Sequence, residues 1–198
     1  DLEGRVTSVK DPNGNFTLYE YYNDDRLYKV TLRRTSFSDL VFTYSYDAAG
    51  RLYEIEYPTS SGIVAKFYDA SANSGWDAAG QLRLVRYLNS STLLLSIAYD
   101  YDDSGNRTQE VRIANGTTVT TDFGYDWLNR LLTVTRNGTL EVTYDYDESD
   151  NRISEVRPSG SKTFVYDDAN QLVSSTIGGV TEDFTNDLDG NMTSRTVG

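Results

Sequence analysis

The chain has 198 residues, a formal net charge of −12 and a pI near 4.4, which excludes a surface built to neutralise nucleic-acid phosphates. It contains no Cys and no His, so disulfide frameworks, Cys- or His-liganded zinc, and Ser-His-Asp or Cys-His nucleophiles are excluded as well. Aromatic residues make up 13% of the chain and 16 residues are Tyr, so a core must rely on rings with a polar tip, and no apolar run approaches the roughly 20 residues of a membrane helix.

One pattern returns along the whole chain. With the Asp of a Tyr-Asp pair as position zero, the register falls at Asp1, Tyr22 (in place of Asp), Asp47, Asp77, Asp102, Asp126, Asp147, Asp167 and Asp187, in steps of 21, 25, 30, 25, 24, 21, 20 and 20 residues. The first unit turns at residues 1–4, opens a strand at Val6 and turns again at DPNG, 11–14. A strand carrying Tyr19 and Tyr21 leads through Tyr22 to Leu27. YSYDAAGRL, 44–52, holds the pattern in full with Tyr44, Tyr46, Asp47, Gly50, Arg51 and Leu52, and PTSSG at 58–62 turns the chain next. The longest step, to Trp76 and Asp77, contains ASANSG at 70–75, which reads as a looped insertion. NSS at 89–91 is followed by Tyr99, Tyr101, Asp102 and Gly105, and NG at 115–116 by Phe123, Tyr125, Asp126, Asn129 and Arg130. NG at 137–138 precedes Tyr144, Tyr146 and Asp147; PSG at 158–160 precedes Phe164, Tyr166 and Asp167; GG at 178–179 precedes Phe184 and Asp187.

Positions −3 and −1 are aromatic and the residue between them is mostly polar, the alternation of a half-buried strand. Position three is Gly, Asn or Asp, residues that tolerate positive φ, so the stretch from position zero reads as a tight turn. Position five is mostly Leu, Val or Met and opens a second strand. GNR at 105–107 and DNR at 150–152 place Arg there and look shifted by one residue, as a bulge would produce. The fold class is therefore all-β, with about eight to nine β-hairpin repeats across 1–198 and no helix, in one long antiparallel sheet that should curve or spiral, since flat open sheets rarely exceed roughly ten strands. Asp1 at the start and a strand running to Gly198 lead us to expect a segment of a longer chain.

These units resemble the YD repeats of RHS proteins, which are found also in toxin-complex C subunits and teneurins. The resemblance covers the whole chain through YSYDAAGRL, YDYDDSGNR, FGYDWLNRL and the DPNG hairpin. It implies a non-catalytic structural segment of a β-shell that encloses or presents a C-terminal toxin or effector domain, in a secreted or cell-surface bacterial protein. Its partners would be other segments of the parent and that effector, with no cofactor. The family's closing DPxGL-type motif is missing, and DPNGN at 11–15 lies at the wrong end for it. The repeat-defining residues carried over are Tyr44, Tyr46, Asp47, Gly50, Arg51, Leu52, Tyr99, Tyr101, Asp102, Gly105, Tyr125, Asp126, Arg130, Tyr144, Tyr146, Asp147, Tyr166 and Asp167.

Other chemistries have less support. Asp100, Asp102 and Ser104, with Gly105 and Glu110, approach a calcium-loop spacing, but Glu110 comes one residue early and a solvated turn explains the acids. Carboxylate neighbours such as Asp102–Asp103 or Asp147–Glu148 are replaced by apolar residues in sister units, which argues against a hydrolase. Arg5, Arg26, Arg51 and Arg130 share position four and should contact carboxylates within or between turns. Trp127 at a turn tip and Trp76 in the ring column are the candidates for an alternative role, a surface adhesion or carbohydrate-binding module. Six N-x-Ser/Thr sequons occur and matter only in a secreted eukaryotic setting.

Overall fold

A computed structural model describes residues 1–58, 62–67 and 75–198. Among these are 17 strands, all antiparallel and each paired with its neighbours in chain order, with no helix. They are β1 (Ser8–Lys10), β2 (Phe16–Tyr21), β3 (Leu27–Arg33), β4 (Leu40–Tyr46), β5 (Leu52–Glu56), β6 (Ile63–Lys66), β7 (Leu84–Asn89), β8 (Thr92–Tyr101) and β9 (Arg107–Ala114). The remainder are β10 (Thr117–Tyr125), β11 (Leu131–Arg136), β12 (Thr139–Tyr146), β13 (Arg152–Arg157), β14 (Gly160–Tyr166), β15 (Leu172–Ile177), β16 (Val180–Asn186) and β17 (Met192–Val197). The chain packs as two units, Asp1–Tyr99 with Val111–Thr118, and Asp100–Glu110 with Val119–Gly198.

Two kinds of turn alternate. At each Tyr-Asp turn the position-zero N–H donates to the position-four carbonyl, as Asp47 does to Arg51 at 2.8 Å, and the position-three N–H returns to the position-zero carbonyl, as Gly50 does to Asp47 at 2.9 Å. Position three is left-handed, with φ of 80° at Gly50, 65° at Asn129 and 67° at Asp150. The extra residue shifts the ladder, so Tyr46 lies opposite Leu52, Tyr125 opposite Leu131 and Tyr166 opposite Leu172. This corrects the reading of DNR. Tyr146 faces Arg152 in that same register, so the bulge belongs to the ordinary unit and Arg152 simply replaces the usual apolar residue.

The mid-unit turns are hairpin tips. Asn115-Gly116 and Asn137-Gly138 have positive φ at both residues, as their sequence suggests. DPNG differs: Asp11 accepts from Gly14 N–H and donates to the Asn15 carbonyl, the same geometry as a Tyr-Asp turn. The tip between β3 and β4 carries none of the Gly, Pro or Asn that announce the others. Between β3 and β4 the chain turns through residues 35–39, with Arg34 Nη2 donating to the Ser38 carbonyl at 2.6 Å and Phe37 exposed. Of the ASANSG stretch, residues 70–74 lie outside the described residues. Gly75 is buried, and a Cβ there would come within 2.4 Å of the Phe67 carbonyl carbon and 2.5 Å of the Leu84 carbonyl oxygen.

Burial is shallow in both units. Ala65, Leu84 and Val85 are buried in the first and Val142 in the second, and among the described residues no large side chain is fully enclosed. The rings at −3 and −1 are half-buried, and their cross-strand partners at position eight change along the chain. Tyr19 faces Val30, Tyr44 faces Ile55 and Phe123 faces Val134, whereas Tyr144 faces Glu155, Phe164 faces Ser175 and Phe184 faces Arg195. Aromatic against β-branched pairs are the favourable ones, so the strands carrying Tyr19, Tyr44 and Phe123 draw more of their stability from this face.

The glycines at 75 and 138 separate two effects. Gly138→Ala meets only open space and carries the left-handed φ penalty, about 1 kcal/mol. Gly75→Ala forces backbone apart and is expected to cost about 3 kcal/mol, the upper range for overpacking. Urea unfolding of the two variants measures the difference, and equal losses would contradict it.

Candidate functional site

The side chains with the most organised chemistry line the edge where the Tyr-Asp turns lie. Position zero acts first. Asp47 Oδ1 accepts from Ala49 N–H and Arg51 N–H, both at 2.9 Å, while Oδ2 accepts from Arg51 Nε at 2.8 Å. Asp126 is bound in the same way by Leu128, Arg130 N–H and Arg130 Nε. Where position four is Asn the amide replaces the guanidinium: Asn106 Nδ2 donates to Asp102 Oδ2 and Asn151 Nδ2 to Asp147 Oδ2, each at 3.0 Å.

These donors hold the carboxyls below their ordinary range. For Asp102 and Asp147 the side-chain amides of Asn106 and Asn151 are the main cause. For Asp47 and Asp126 partial burial pushes upward, and the backbone N–H and guanidinium of Arg51 and Arg130 outweigh it. The calcium-like spacing at Asp100, Asp102 and Ser104 resolves into this turn, with Ser104 N–H and Asn106 N–H both on Asp102 Oδ1. Among the described residues no three Asp or Glu side chains converge as metal ligands would.

Position four also reaches forward to the next repeat. Arg5 Nη1 meets Asp25 Oδ1 at 2.6 Å, and Arg130 Nη1 meets the Asp147 carbonyl at 3.0 Å and Asp150 Oδ1 at 2.7 Å. Arg51 Nη1 meets the Asp77 carbonyl at 2.9 Å. Asn106 Nδ2 meets Asn129 Oδ1 at 2.7 Å, and Asn151 Nδ2 meets Asn170 Oδ1 at 2.8 Å. The expected Arg–carboxylate contacts are thus present both within and between turns. Arg26 is the exception, because Tyr22 supplies no carboxylate: it pairs with Asp24 and leaves Nη1 buried without a hydrogen bond beside Gly50.

The ring at −1 closes the junction. Across each mid-unit hairpin the backbone pairing starts at position seven, for example Ser154 with Thr163 and Ser174 with Asp183. Position five lies beyond it, and its carbonyl accepts from the ring of the following repeat. Tyr21 Oη donates to Val6 at 2.7 Å, Tyr46 to Leu27 at 3.0 Å, Tyr125 to Arg107 at 2.9 Å, Tyr146 to Leu131 at 2.9 Å and Tyr166 to Arg152 at 3.3 Å. Asn186 Nδ2 does the same to Leu172. Burial pushes the Tyr46, Tyr125 and Tyr146 phenols up, so they remain neutral donors at physiological pH. The preceding Arg lies over each of several rings, with Arg5 4.9 Å from Tyr21, Arg26 4.8 Å from Tyr46 and Arg130 4.8 Å from Tyr146.

The two tryptophans part company here. Trp76 occupies the −1 place, its Nε1 donates to the Leu52 carbonyl at 2.8 Å and its ring stacks on Phe67 at 6.5 Å. Trp127 is 86% exposed on a turn tip beside the exposed Leu128. Sequence reasoning missed the carbonyl that each −1 ring reaches and the Asn pairs between repeats. The second carried a signal, since Asn106 and Asn129, then Asn151 and Asn170, recur at position four of one unit and position three of the next.

No protein-family profile and no curated protein matches the sequence. Among solved structures, a chain of the TcdB2-TccC3-Cdc42 crystal structure is similar over 98% of this chain, with a TM-score of 0.72 and 15% identity. This chain shares its fold with that stretch of the TcdB2-TccC3-Cdc42 structure. It spans 12% of the length of that TcdB2-TccC3-Cdc42 chain. A chain of the Photorhabdus luminescens Tc holotoxin pore is 14% identical, covering 100% of this chain and 14% of that one at a TM-score of 0.39.

The lowered Asp pKa values set a pH dependence. A carboxyl depressed in the folded state contributes stability that is full above its unfolded value, about 3.9, and is lost as pH falls through the folded value. An Asp126→Asn, Asp147→Asn variant is expected to unfold at lower urea than the parent near pH 7, with the gap closing below about pH 4. A gap that stays constant with pH would contradict the role given to these carboxylates.

Proposed function

We propose that the chain is a non-catalytic structural segment of an RHS-type β-shell, which encloses or presents an effector domain in a secreted bacterial protein. The observation that carries this reading is the junction between repeats. The most ordered polar groups at the turn edge, Asp47, Arg51, Tyr46 and their counterparts, bond to backbone or to one another. Their donors and acceptors are engaged in joining units, as a wall requires and an active site does not. The similarity to a TcdB2-TccC3-Cdc42 chain supports the same reading at the level of fold.

The half-buried rings supply the test. In a shell the Tyr44 and Tyr144 columns gain cover from other parts of the full-length protein. Hydroxyl-radical footprinting should modify these tyrosines severalfold less in the full-length protein than in the 198-residue chain. Equal modification would overturn the proposal.

The exposure of Trp127 favours a second role on the same scaffold, contact with a sugar ring through a flat aromatic face. Under that reading a glycan array shows retention that Trp127→Ala abolishes while urea stability changes by less than about 0.5 kcal/mol. Retention of no glycan would dismiss it.

A further inference from the structure

Three Asn-Gly pairs occur in the chain, at 13–14, 115–116 and 137–138, and the last two continue identically as Asn-Gly-Thr. Those two also fold alike. Asn115 and Gly116 have φ of 50° and 74°, Asn137 and Gly138 of 48° and 77°, each pair forming the exposed tip of a two-residue hairpin, β9–β10 and β11–β12. What separates the tips is the Asn side chain. Asn137 N–H donates to the Thr120 carbonyl at 2.8 Å and Thr120 N–H returns to Asn137 Oδ1 at 2.9 Å, so the carboxamide extends the β10–β11 ladder one place beyond Thr121↔Arg136. Asn115 is held by nothing of the kind. Among the described residues neither its carboxamide nor the Gly116 N–H has a hydrogen-bond partner. At the remaining pair the backbone nitrogen is engaged instead, since Gly14 N–H donates to the Asp11 carbonyl at 3.1 Å.

We propose that Asn115 is a self-modification site, where the folded chain converts its own carboxamide to aspartate and β-linked aspartate with water as the only co-reactant. The Gly116 nitrogen, on losing its proton to solvent hydroxide, attacks Asn115 Cγ. The new N–Cγ bond closes a cyclic imide as the Cγ–Nδ2 bond breaks, and the amide nitrogen leaves as ammonia. Water then opens the ring at either carbonyl, giving aspartate in the ordinary main-chain linkage or aspartate joined to Gly116 through its side chain. Approach is open, because Gly116 has no Cβ and nothing lies within 4 Å of where one would stand. The other two pairs must first give something up. Asn137 has to break its bond from Thr120 before Cγ can swing over the next nitrogen, and Gly14 has to release Asp11. A hydrogen bond kept in the ground state and lost in the transition state slows a rate by roughly tenfold. The product places a new negative charge on the β9–β10 tip, and in its β-linked form an extra methylene in the main chain, while the β11–β12 tip stays as it is. The proposal stands whether or not the repeats form a shell.

The test holds the intact chain in warm, mildly alkaline buffer, digests it, and resolves each Asn-Gly peptide by mass spectrometry into amide, aspartyl and β-aspartyl forms. A parallel sample in concentrated guanidinium chloride removes the turns and keeps the sequence. Native Asn115 is expected to convert roughly tenfold faster than Asn137 or Asn13, with the three rates drawing together in the denatured chain. Equal native rates at Asn115 and Asn137 would overturn the proposal, and so would an Asn115 that resists in the native chain while its denatured counterpart reacts. A difference that persists unchanged in denaturant would assign it to the preceding residues, Ala114 against Arg136, and would overturn the proposal as well.

Discussion

Within each of the two units, one repeat meets the next through a carbonyl that backbone pairing leaves behind. The bulge at the Tyr-Asp turn offsets the strands, and pairing across the following hairpin begins two residues beyond position five. These carbonyls are exposed or half-buried, and a hydrogen bond at such a place contributes about 0.5–1.5 kcal/mol, which recurs from unit to unit. The tyrosine ring is the right length: its base packs on the half-buried face and its hydroxyl reaches the orphaned oxygen. Trp76 and Asn186 show that the donor matters more than the ring, since an indole N–H and a carboxamide fill the same role.

The Asp at position zero fixes the turn that creates this offset, and position four ties one turn to the next. Arg and Asn are alternatives because both offer two N–H directions, one back to the Asp and one forward. Only Arg also covers the next ring, as Arg130 does over Tyr146. Cations recur on the sheet face. Arg152 lies 5.2 Å from both Tyr144 and Phe164, and the buried carboxylate of Glu155 meets Arg157 at 2.7 Å, Arg152 at 3.5 Å and Lys162 at 3.6 Å. There the later repeats replace the aliphatic partner of the ring with a neutralised charge cluster.

The period, the two aromatic columns and the left-handed turn position were legible in the sequence because each depends on residue type at fixed spacing. What was not legible depends on two residues meeting from different repeats. The Tyr46 hydroxyl and the Leu27 carbonyl are 19 residues apart, and a backbone acceptor leaves no mark on the sequence. DNR looked displaced because Arg152 is polar where Leu is expected, although the backbone there is ordinary. The turn after β3 escaped notice because residues 35–39 lack the Gly, Pro or Asn that marks the others.

A sheet joined this way draws its stability from nearest neighbours, and each unit is incomplete without the one beside it. That places specificity at the turn edge and leaves the faces free to vary. The faces do vary, from Ile55 opposite Tyr44 to Arg195 opposite Phe184, while the turn carboxylates at Asp47 and Asp187 keep their bonds. Half-buried rings that no second layer covers within either unit then have two physical fates, contact with another part of a larger assembly or contact with a ligand. Their neighbours favour the first. The −1 hydroxyls already point at backbone carbonyls, so the column presents ring faces with few free polar groups, a surface suited to packing against protein rather than to orienting a sugar.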